Sequence, residues 1–352
     1  MRKNLFYLTV GMSLAIGTSS LNAQDATVAS VPNGMITFTL KGNSINYLSL
    51  PLSNNVSYTS TVSSVTANSI TVGDSPAPFT TNLAAPATPY FVKFLSGSEM
   101  GRVLLIKANT ADSLTLDTTD NSTQTVSLTT SGFSVAAGDT FEVFPGSTLS
   151  SVFGDNSAQN PVILTASNSI FTSDSVSVYN ASLSRFYSYY FNTAVGHWEL
   201  SGSTANANNT VLYPYQTVAV TRRLGEATIS LVMAGRVAEV PVLTKTPGNN
   251  AVVYASSGYA ADVPLSQLQL SSNWVKASNP IAADTLSVWN PTLSRFDSYY
   301  QLPDSSWRKT IDSNANQSNF VLAAGTTVAY VQRSAVTGGN SFIASALPYS
   351  LN

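Results

Sequence analysis

Short segments with apolar residues at alternate positions recur from Gln24 onward, separated by Asn, Gly, Asp and Ser. Such alternation is typical of strands, and helical periodicity is nearly absent. Segments 35–40 and 47–52 predict two strands joined by a turn-prone tetrapeptide. Segments 61–72 and 102–116 predict two hairpins, each with Asn in the connection. The pattern predicts an all-β protein with several antiparallel β-sandwich or small-barrel units.

The strongest internal signal is a repeated segment. Residues 174–190, DSVSVYNASLSRFYSYY, reappear as residues 284–300, DTLSVWNPTLSRFDSYY, at an offset of 110 (284 minus 174). The offset continues to Arg223 and Arg333, and Trp198 corresponds to Trp307 after a slip of one residue. Similarity over this length, in only two copies, predicts a duplicated C-terminal β-unit and not a solenoid.

The first residues have the pattern of an export signal. Arg2 and Lys3 precede an apolar run over residues 5–17, and the small residue Ala23 lies before Gln24. The run is too short to span a bilayer comfortably, and no stop-transfer flank follows it, which makes an N-terminal anchor the less favoured alternative. We expect residues 1–23 to be removed and the mature chain to have no transmembrane span.

Pro145 indicates where the N-terminal part ends. It follows a strand-like segment and cannot donate a hydrogen bond within a central ladder, so we place a boundary between residues 146 and 155. The predicted division is a signal peptide, an N-terminal β-domain and two β-repeat copies, with bounds 1–23, 24–150, 151–245 and 246–352.

Composition narrows the function classes. The chain has 16 Lys and Arg against 18 Asp and Glu, which argues against a nucleic-acid partner because phosphate neutralisation needs a basic surface. Cys is absent, which excludes disulfides, thiol nucleophiles and thiolate metal sites. Charged residues are only 10% of the chain, so Ser, Thr, Asn and Gln have to cover much of the surface, as in exported β-proteins.

No pattern selects a catalytic, cofactor-binding or metal site. His197 is the single imidazole, and no nucleophile elbow accompanies it, so a turn or strand-end role is favoured. Asp117, Asp120 and Asn121 lack the spacing of a known calcium loop. Glycosidase chemistry needs two carboxylates about 5–9.5 Å apart. The sequence does not select a pair from its acidic residues, which include Asp174, Glu199, Glu226, Glu239, Asp284 and Asp297.

The repeated aromatic residues are the best candidates for a ligand or partner surface. Alternation places Phe186 and Tyr190 on one face of a strand and Tyr187 and Tyr189 on the other, which allows one row to lie at the surface. Exposed Tyr and Trp stack on sugar rings or contact proteins. The favoured interpretation is nevertheless a β-core, with Arg185 and Arg295 stacked on neighbouring tyrosines. The candidate surface comprises Tyr187, Tyr189, Trp198, Tyr299 and Trp307.

The chain resembles a family of uncharacterised exported bacterial all-β proteins with a duplicated strand unit of Val and Asn, then paired tyrosines, then Trp. Segments 96–102, 109–116 and 137–145 are similar to the middle section of that family, so the resemblance covers nearly the whole mature chain. The chain departs from the family at Tyr213-Pro-Tyr215, where a turn like Ala324-Gly325 is expected. The resemblance implies export and β-architecture, and it implies no activity.

These observations favour a secreted, non-enzymatic structural, adhesive or assembly protein of the cell envelope or extracellular matrix. The expected location is periplasmic, cell-surface or extracellular. Its expected partner is an envelope protein, a glycan or a second copy in self-assembly. A carbohydrate-binding protein that uses the Tyr and Trp rows is the alternative, and a surface glycosidase is the third. An outer-membrane barrel is less favoured, because its strands run about 9–11 residues and many segments here are shorter.

Overall fold

The computed structural model describes residues 32–79, 81–119, 127–130, 134–180, 185–246, 252–270, 272–333 and 341–350. The predicted signal peptide lies outside the described residues, as do Asp120 and Asn121 of the weak calcium candidate. Strands account for nearly all of the regular structure, so the all-β prediction is confirmed. No helix in the described ranges has the length and apolar character needed to cross a membrane.

The strands before the first helix are β1 (Asn33–Leu40), β2 (Ser44–Ser49), β3 (Tyr58–Val65), β4 (Ser69–Val72), β5 (Tyr90–Phe94), β6 (Val103–Asn109), β7 (Ser113–Leu116), β8 (Thr140–Pro145) and β9 (Ser147–Thr148). Helix α1 (Leu149–Phe153) follows directly. It starts with a capping box, in which the Thr148 side chain accepts from the Ser151 N–H and the Ser151 hydroxyl accepts from the Thr148 N–H.

The strands after α1 are β10 (Ser175–Asn180), β11 (Arg185–Asn192), β12 (His197–Leu200), β13 (Val211–Leu212), β14 (Thr217–Arg222), β15 (Ile229–Arg236), β16 (Val242–Thr246), β17 (Val252–Ser256), β18 (Val263–Pro264), β19 (Leu268–Leu270), β20 (Thr285–Asn290), β21 (Arg295–Gln301), β22 (Trp307–Lys309), β23 (Val321–Leu322), β24 (Thr327–Val331) and β25 (Ser341–Ser345). A 3-10 helix at Leu265–Gln267 lies between β18 and β19.

Strands β3 to β8 close into a six-stranded barrel in the order β3-β4-β7-β6-β5-β8. The hairpins predicted over 61–72 and 102–116 are the pairs β3–β4 and β6–β7. Both pairs contain a register shift, and a bulge of this kind bends the strand as barrel closure requires. Buried apolar side chains from all six strands fill the barrel, including Phe94, Leu104 and Phe141.

Two five-stranded antiparallel sheets form the rest of the scaffold. The first sheet has the order β12-β11-β10-β14-β2, and the second has the order β22-β21-β20-β24-β17. Their central hairpins have the same register 110 residues apart: Ser177 pairs with Ser188, and Ser287 pairs with Ser298. In each pair the two hydroxyls are hydrogen-bonded, at 2.8 Å in the first sheet and 2.7 Å in the second. The same strand order and register thus occur twice in the chain.

The first two strands make long-range pairs. Although a turn joins β1 and β2, they do not pair with each other: β1 pairs with β15, and β2 pairs with β14. Residues 33–49 therefore share sheets with residues 217–236, while the barrel strands lie between them in sequence. The predicted division at residues 24–150, 151–245 and 246–352 stays a prediction.

A buried ionic cluster joins the barrel to the end of β15. Lys93 of β5 and Glu142 of β8 lie beside Arg236, whose guanidinium is 3.1 Å from the Glu142 carboxylate and 2.6 Å from that of Glu239. The Lys93 ammonium is 4.0 Å from Glu142. Burial lowers the pKa of Lys93, and the Glu142 carboxylate opposes that shift. Removing one member would leave an uncompensated charge in the interior, so loss of any one of these side chains is expected to be destabilising.

Candidate functional site

The two sheets meet at their edge strands, β2 and β17, and at the strands next to these, β14 and β24, through buried hydroxyl side chains. The Ser49 N–H and hydroxyl both donate to the Gly325 carbonyl, at 3.3 and 3.0 Å. The Thr217 hydroxyl donates to the Ala255 carbonyl at 2.9 Å and lies 3.4 Å from the Thr327 hydroxyl. Because Thr217 and Thr327 occupy equivalent positions of the two sheets, this junction is close to two-fold symmetric.

Six aromatic rings pack beside this junction. Tyr47 and Tyr254 are stacked, with ring centroids 6.4 Å apart and an interplanar angle of 11°, and the Tyr47 ring lies 4.6 Å from that of Trp289. Burial raises the pKa of both tyrosines. The cluster comprises Tyr47, Tyr179, Phe186, Tyr254, Trp289 and Phe296. Edge-to-face and stacked pairs of this kind favour a fixed angle between the sheets.

The candidate aromatic surface divides into buried and half-buried residues. Trp198 and Trp307 have no exposed surface, and Tyr299 is 1% exposed. The Trp198 indole N–H donates to the Gly154 carbonyl at 2.7 Å. Tyr187 and Tyr189 are half-buried. In this packing, only these last two can offer part of a ring to a ligand.

The two repeated arginines differ in what they contact. The Arg185 guanidinium lies 4.6 Å from the Tyr187 ring centre and donates to the Tyr187 hydroxyl at 2.6 Å, as the stacking alternative expects. Arg295 instead lies 3.2 Å from the Asp297 carboxylate. Asp297 is the residue 110 positions after Tyr187, so the partner changes from a ring to an acid.

Asp297 is a buried carboxylate with several donors. The Lys309 ammonium lies 2.9 Å from it, and the Asn290 amide donates to it at 3.0 Å. Burial raises the pKa of Asp297, but the hydrogen bonds from Asn290 and Lys309 and the nearby positive charges outweigh that effect, so its pKa is lowered. The acid is held in its charged form by contacts within the sheet.

Asp174 and Asp284 have the same structural role in the two sheets. Asp174 accepts from the backbone N–H groups of Thr165 and Arg223, at 3.0 and 2.8 Å. Asp284 accepts from Val275 and Arg333 in the same way, at 2.8 and 2.7 Å. Each carboxylate therefore ties a preceding loop to the end of a following strand.

His197 lies beside one carboxylate. Its Nε2 is 3.6 Å from a Glu199 oxygen, and Glu199 accepts hydrogen bonds from the Tyr190 hydroxyl and the Asn192 amide, at 2.9 and 2.8 Å. The hydrogen bond from Asn192 lowers the pKa of Glu199, although burial opposes it. Within the described ranges, no three His, Cys, Asp or Glu residues come together as metal ligands would.

An open groove at one end of the first sheet carries exposed apolar side chains. Phe171 is 83% exposed, Leu224 is 82% exposed and Ile45 is 47% exposed. These three residues line a groove of about 670 Å³, whose other lining residues are polar or charged: Asn43, Ser44, Thr172, Thr221, Arg222, Arg223 and Glu226. We call this feature the apolar groove after its three exposed apolar side chains. The alternation analysis missed it because Phe171 and Leu224 lie in loops.

Comparison of the chain with protein-family models, with curated proteins and with solved structures gives no match. The similarity to an exported bacterial family therefore stays an expectation. Function has to be argued from the contacts of this chain alone.

Proposed function

We propose that the protein is an exported, non-enzymatic structural component that assembles with copies of itself. The resulting assembly serves adhesion in the cell envelope. The apolar groove carries the proposal, because large apolar side chains that are exposed around one groove and rimmed by polar residues mark interaction surfaces. The repeated aromatics support it as well: Trp198, Trp307 and Tyr299 are packed in the interior, where they stabilise the scaffold. A further support is that the carboxylates of Asp174, Asp284 and Glu199 each accept two hydrogen bonds from groups of the protein itself. Carboxylates held in this way are suited to a structural, non-enzymatic role.

The shape of the apolar groove favours a second copy of this chain as its occupant. It combines a cavity with projecting Phe171 and Leu224 side chains in one patch. In a two-fold interface each copy presents the same patch, so a patch that holds both a projection and a recess can be complementary to itself. A Phe side chain that becomes fully buried contributes about 1.5–3 kcal/mol.

Low charge also favours association between copies. The full chain has a formal net charge of -2, and residues 24–352, which lack Arg2 and Lys3, have 14 basic and 18 acidic residues and a charge of -4. This charge is small for a chain of that length, so copies repel one another weakly. The Arg222 guanidinium in the groove is paired with Asp174 at 2.7 Å. The Arg223 guanidinium, which also lines the groove, donates to the carbonyls of Ser173 and Ile170 and keeps its positive charge.

Sedimentation velocity over a concentration series tests the proposal. We expect residues 24–352 to form a dimer or larger species, and we expect Phe171→Ser with Leu224→Ser to give a monomer at every concentration. Ile281→Ser is the matched control, because Ile281 is 81% exposed and lies 110 positions after Phe171. A monomeric native protein, or equal effects of the double variant and the control, would contradict self-assembly through the groove.

Carbohydrate binding is the second candidate function. The observation in its favour is a polar pocket beside the second sheet, formed by residues outside the predicted Tyr and Trp rows. Trp274, Lys276, Gln301 and Ser305 are among the residues that line this pocket.

A further inference from the structure

A pocket of about 410 Å³ lies beside the second sheet. Its lining includes Trp274, Lys276, Gln301 and Ser305, together with Ser266. Pockets of about 300–1,000 Å³ hold small-molecule ligands. The volume and the polar lining therefore suit a ligand of the size of one sugar ring.

Two polar groups in this lining are buried and have no hydrogen-bond partner. They are the indole N–H of Trp274 and the side-chain oxygen of Gln301, in residues that are 5% and 7% exposed. The Gln301 amide nitrogen donates to the Ser305 carbonyl at 3.1 Å, which leaves the oxygen as the free group. An unpaired buried polar group is costly, so a bound group that supplies both an acceptor and a donor would be stabilised here.

The first sheet shows that the fold does not require polar residues at these positions. The residues 110 positions before Trp274, Lys276 and Gln301 are Leu164, Ala166 and Phe191. Leu164 and Phe191 are buried in the apolar core around Trp198, and Ala166 packs against it. Trp274 still packs in the core beside Trp307, as Leu164 and Phe191 do in the core that contains Trp198. What the second sheet adds at the pocket is the pair of unpaired polar atoms on Trp274 and Gln301, together with the Lys276 ammonium.

We propose that this pocket binds a sugar unit that carries a carboxylate, as in an acidic polysaccharide. A hydroxyl group both accepts and donates hydrogen bonds, so sugar hydroxyls satisfy the Trp274 N–H and the Gln301 oxygen, which need opposite partners. The Lys276 ammonium lies 2.8 Å from the Ser305 hydroxyl and adds one positive charge. None of the described lining residues is acidic, so a carboxylate on the ring is attracted to Lys276.

Calorimetric titration of the folded chain with glucuronate and galacturonate tests the proposal, with glucose and acetate as the two comparison probes. We expect at least one of the two sugar acids to bind several-fold more tightly than glucose and acetate. Binding of acetate as tight as that of the sugar acids would reduce the site to a simple anion site. Binding of glucose as tight as theirs would remove the role of the carboxylate. Absence of binding by both sugar acids would overturn the proposal.

Three variants assign the binding to the pocket. Trp274→Phe keeps the ring and removes the N–H, and we expect the Kd to rise about three- to tenfold, as for one lost hydrogen bond. Gln301→Leu should weaken binding of sugar acid and glucose alike, without lowering the melting temperature. Lys276→Ala should bring the sugar acid to the affinity of glucose, while Lys41→Ala, outside the pocket, should leave the Kd unchanged.

Equal affinities of the three pocket variants and the native chain would contradict the assignment. The pocket shares no residue with the apolar groove, so the sugar-acid proposal and self-assembly can fail separately.

Discussion

Trp198 and Trp307 form a matched pair for testing how one buried hydrogen bond stabilises the fold. Both side chains are fully buried. They also occupy equivalent places in their sheets, opposite Phe191 and Gln301 on the adjacent strand, positions that are 110 residues apart. The two sites differ in that neighbouring side chain and at the indole nitrogen. That of Trp198 donates to the Gly154 carbonyl at 2.7 Å, and that of Trp307 has no partner.

Substitution of either Trp by Phe removes the same atoms, so both variants lose packing and gain a cavity. Trp198→Phe also leaves the Gly154 carbonyl without its indole donor, and an unsatisfied buried group costs about 1–3 kcal/mol. Trp307→Phe removes a donor that is already unpaired. We therefore expect Trp198→Phe to reduce the free energy of unfolding by about 1–3 kcal/mol more than Trp307→Phe.

Equilibrium urea unfolding, followed by far-ultraviolet circular dichroism, measures this difference. The unfolding midpoint should fall further for Trp198→Phe, while the slope m stays the same in both variants. Equal midpoints, or a lower midpoint for Trp307→Phe, would refute the reasoning that the Gly154 hydrogen bond separates the two sites.

Three further predictions concern charge and pH. Arg236→Ala should lower the free energy of unfolding by about 3–5 kcal/mol, because it leaves Glu142 buried without its guanidinium partner. Urea unfolding measures this loss, with Lys107→Ala, which removes an exposed lysine, as the control. Equal losses in the two variants would contradict the prediction. Burial raises the pKa of Tyr259 and Tyr299 to about 12. Both groups contribute stability that is complete below the ordinary Tyr pKa of about 10 and is lost as the pH rises through their folded pKa. In an alkaline titration, the last rise in tyrosinate absorbance should therefore coincide with unfolding. Ionisation of every tyrosine in a chain that is still folded would contradict this prediction. Asp297 has a lowered pKa, and its stabilisation is lost as the pH falls through that folded pKa. Asp297→Asn should therefore lower the urea midpoint at neutral pH and lose this effect well below the ordinary Asp pKa of about 3.9, whereas a constant difference across pH would count against a charge effect.

The sequence predicted local pairs better than long-range ones. Hairpins β3–β4 and β6–β7 follow from a turn between alternating arms, which a short window contains. The pairing of β2 with β14 brings Tyr47 opposite Ala219 across the whole barrel segment, and no local pattern specifies such a partner. The six-ring cluster was missed for the same reason, because Tyr47 and Tyr254 come together only when the two sheets meet.

Alternation shows which residues share a face of a strand, but not which face is covered. Trp198 could therefore be expected on a surface or in a core, and burial against Phe153 and Phe191 decides its position. The polar pocket did leave a signal in the sequence. Leu164 and Phe191 become Trp274 and Gln301 across the 110-residue offset, and each of these changes adds a polar atom to a position that is apolar in the first copy.

The most direct test of self-assembly uses the absence of cysteine from the chain. Single variants Leu224→Cys and Ile281→Cys place one thiol at two sites of almost equal exposure, 82% and 81%, and only the first lies in the apolar groove. After treatment with a flexible bis-maleimide crosslinker, which spans thiols that are near each other without being in contact, a denaturing gel should show a crosslinked dimer for Leu224→Cys and a monomer for Ile281→Cys. Equal crosslinking at both sites, or none at Leu224→Cys, would contradict assembly through the groove.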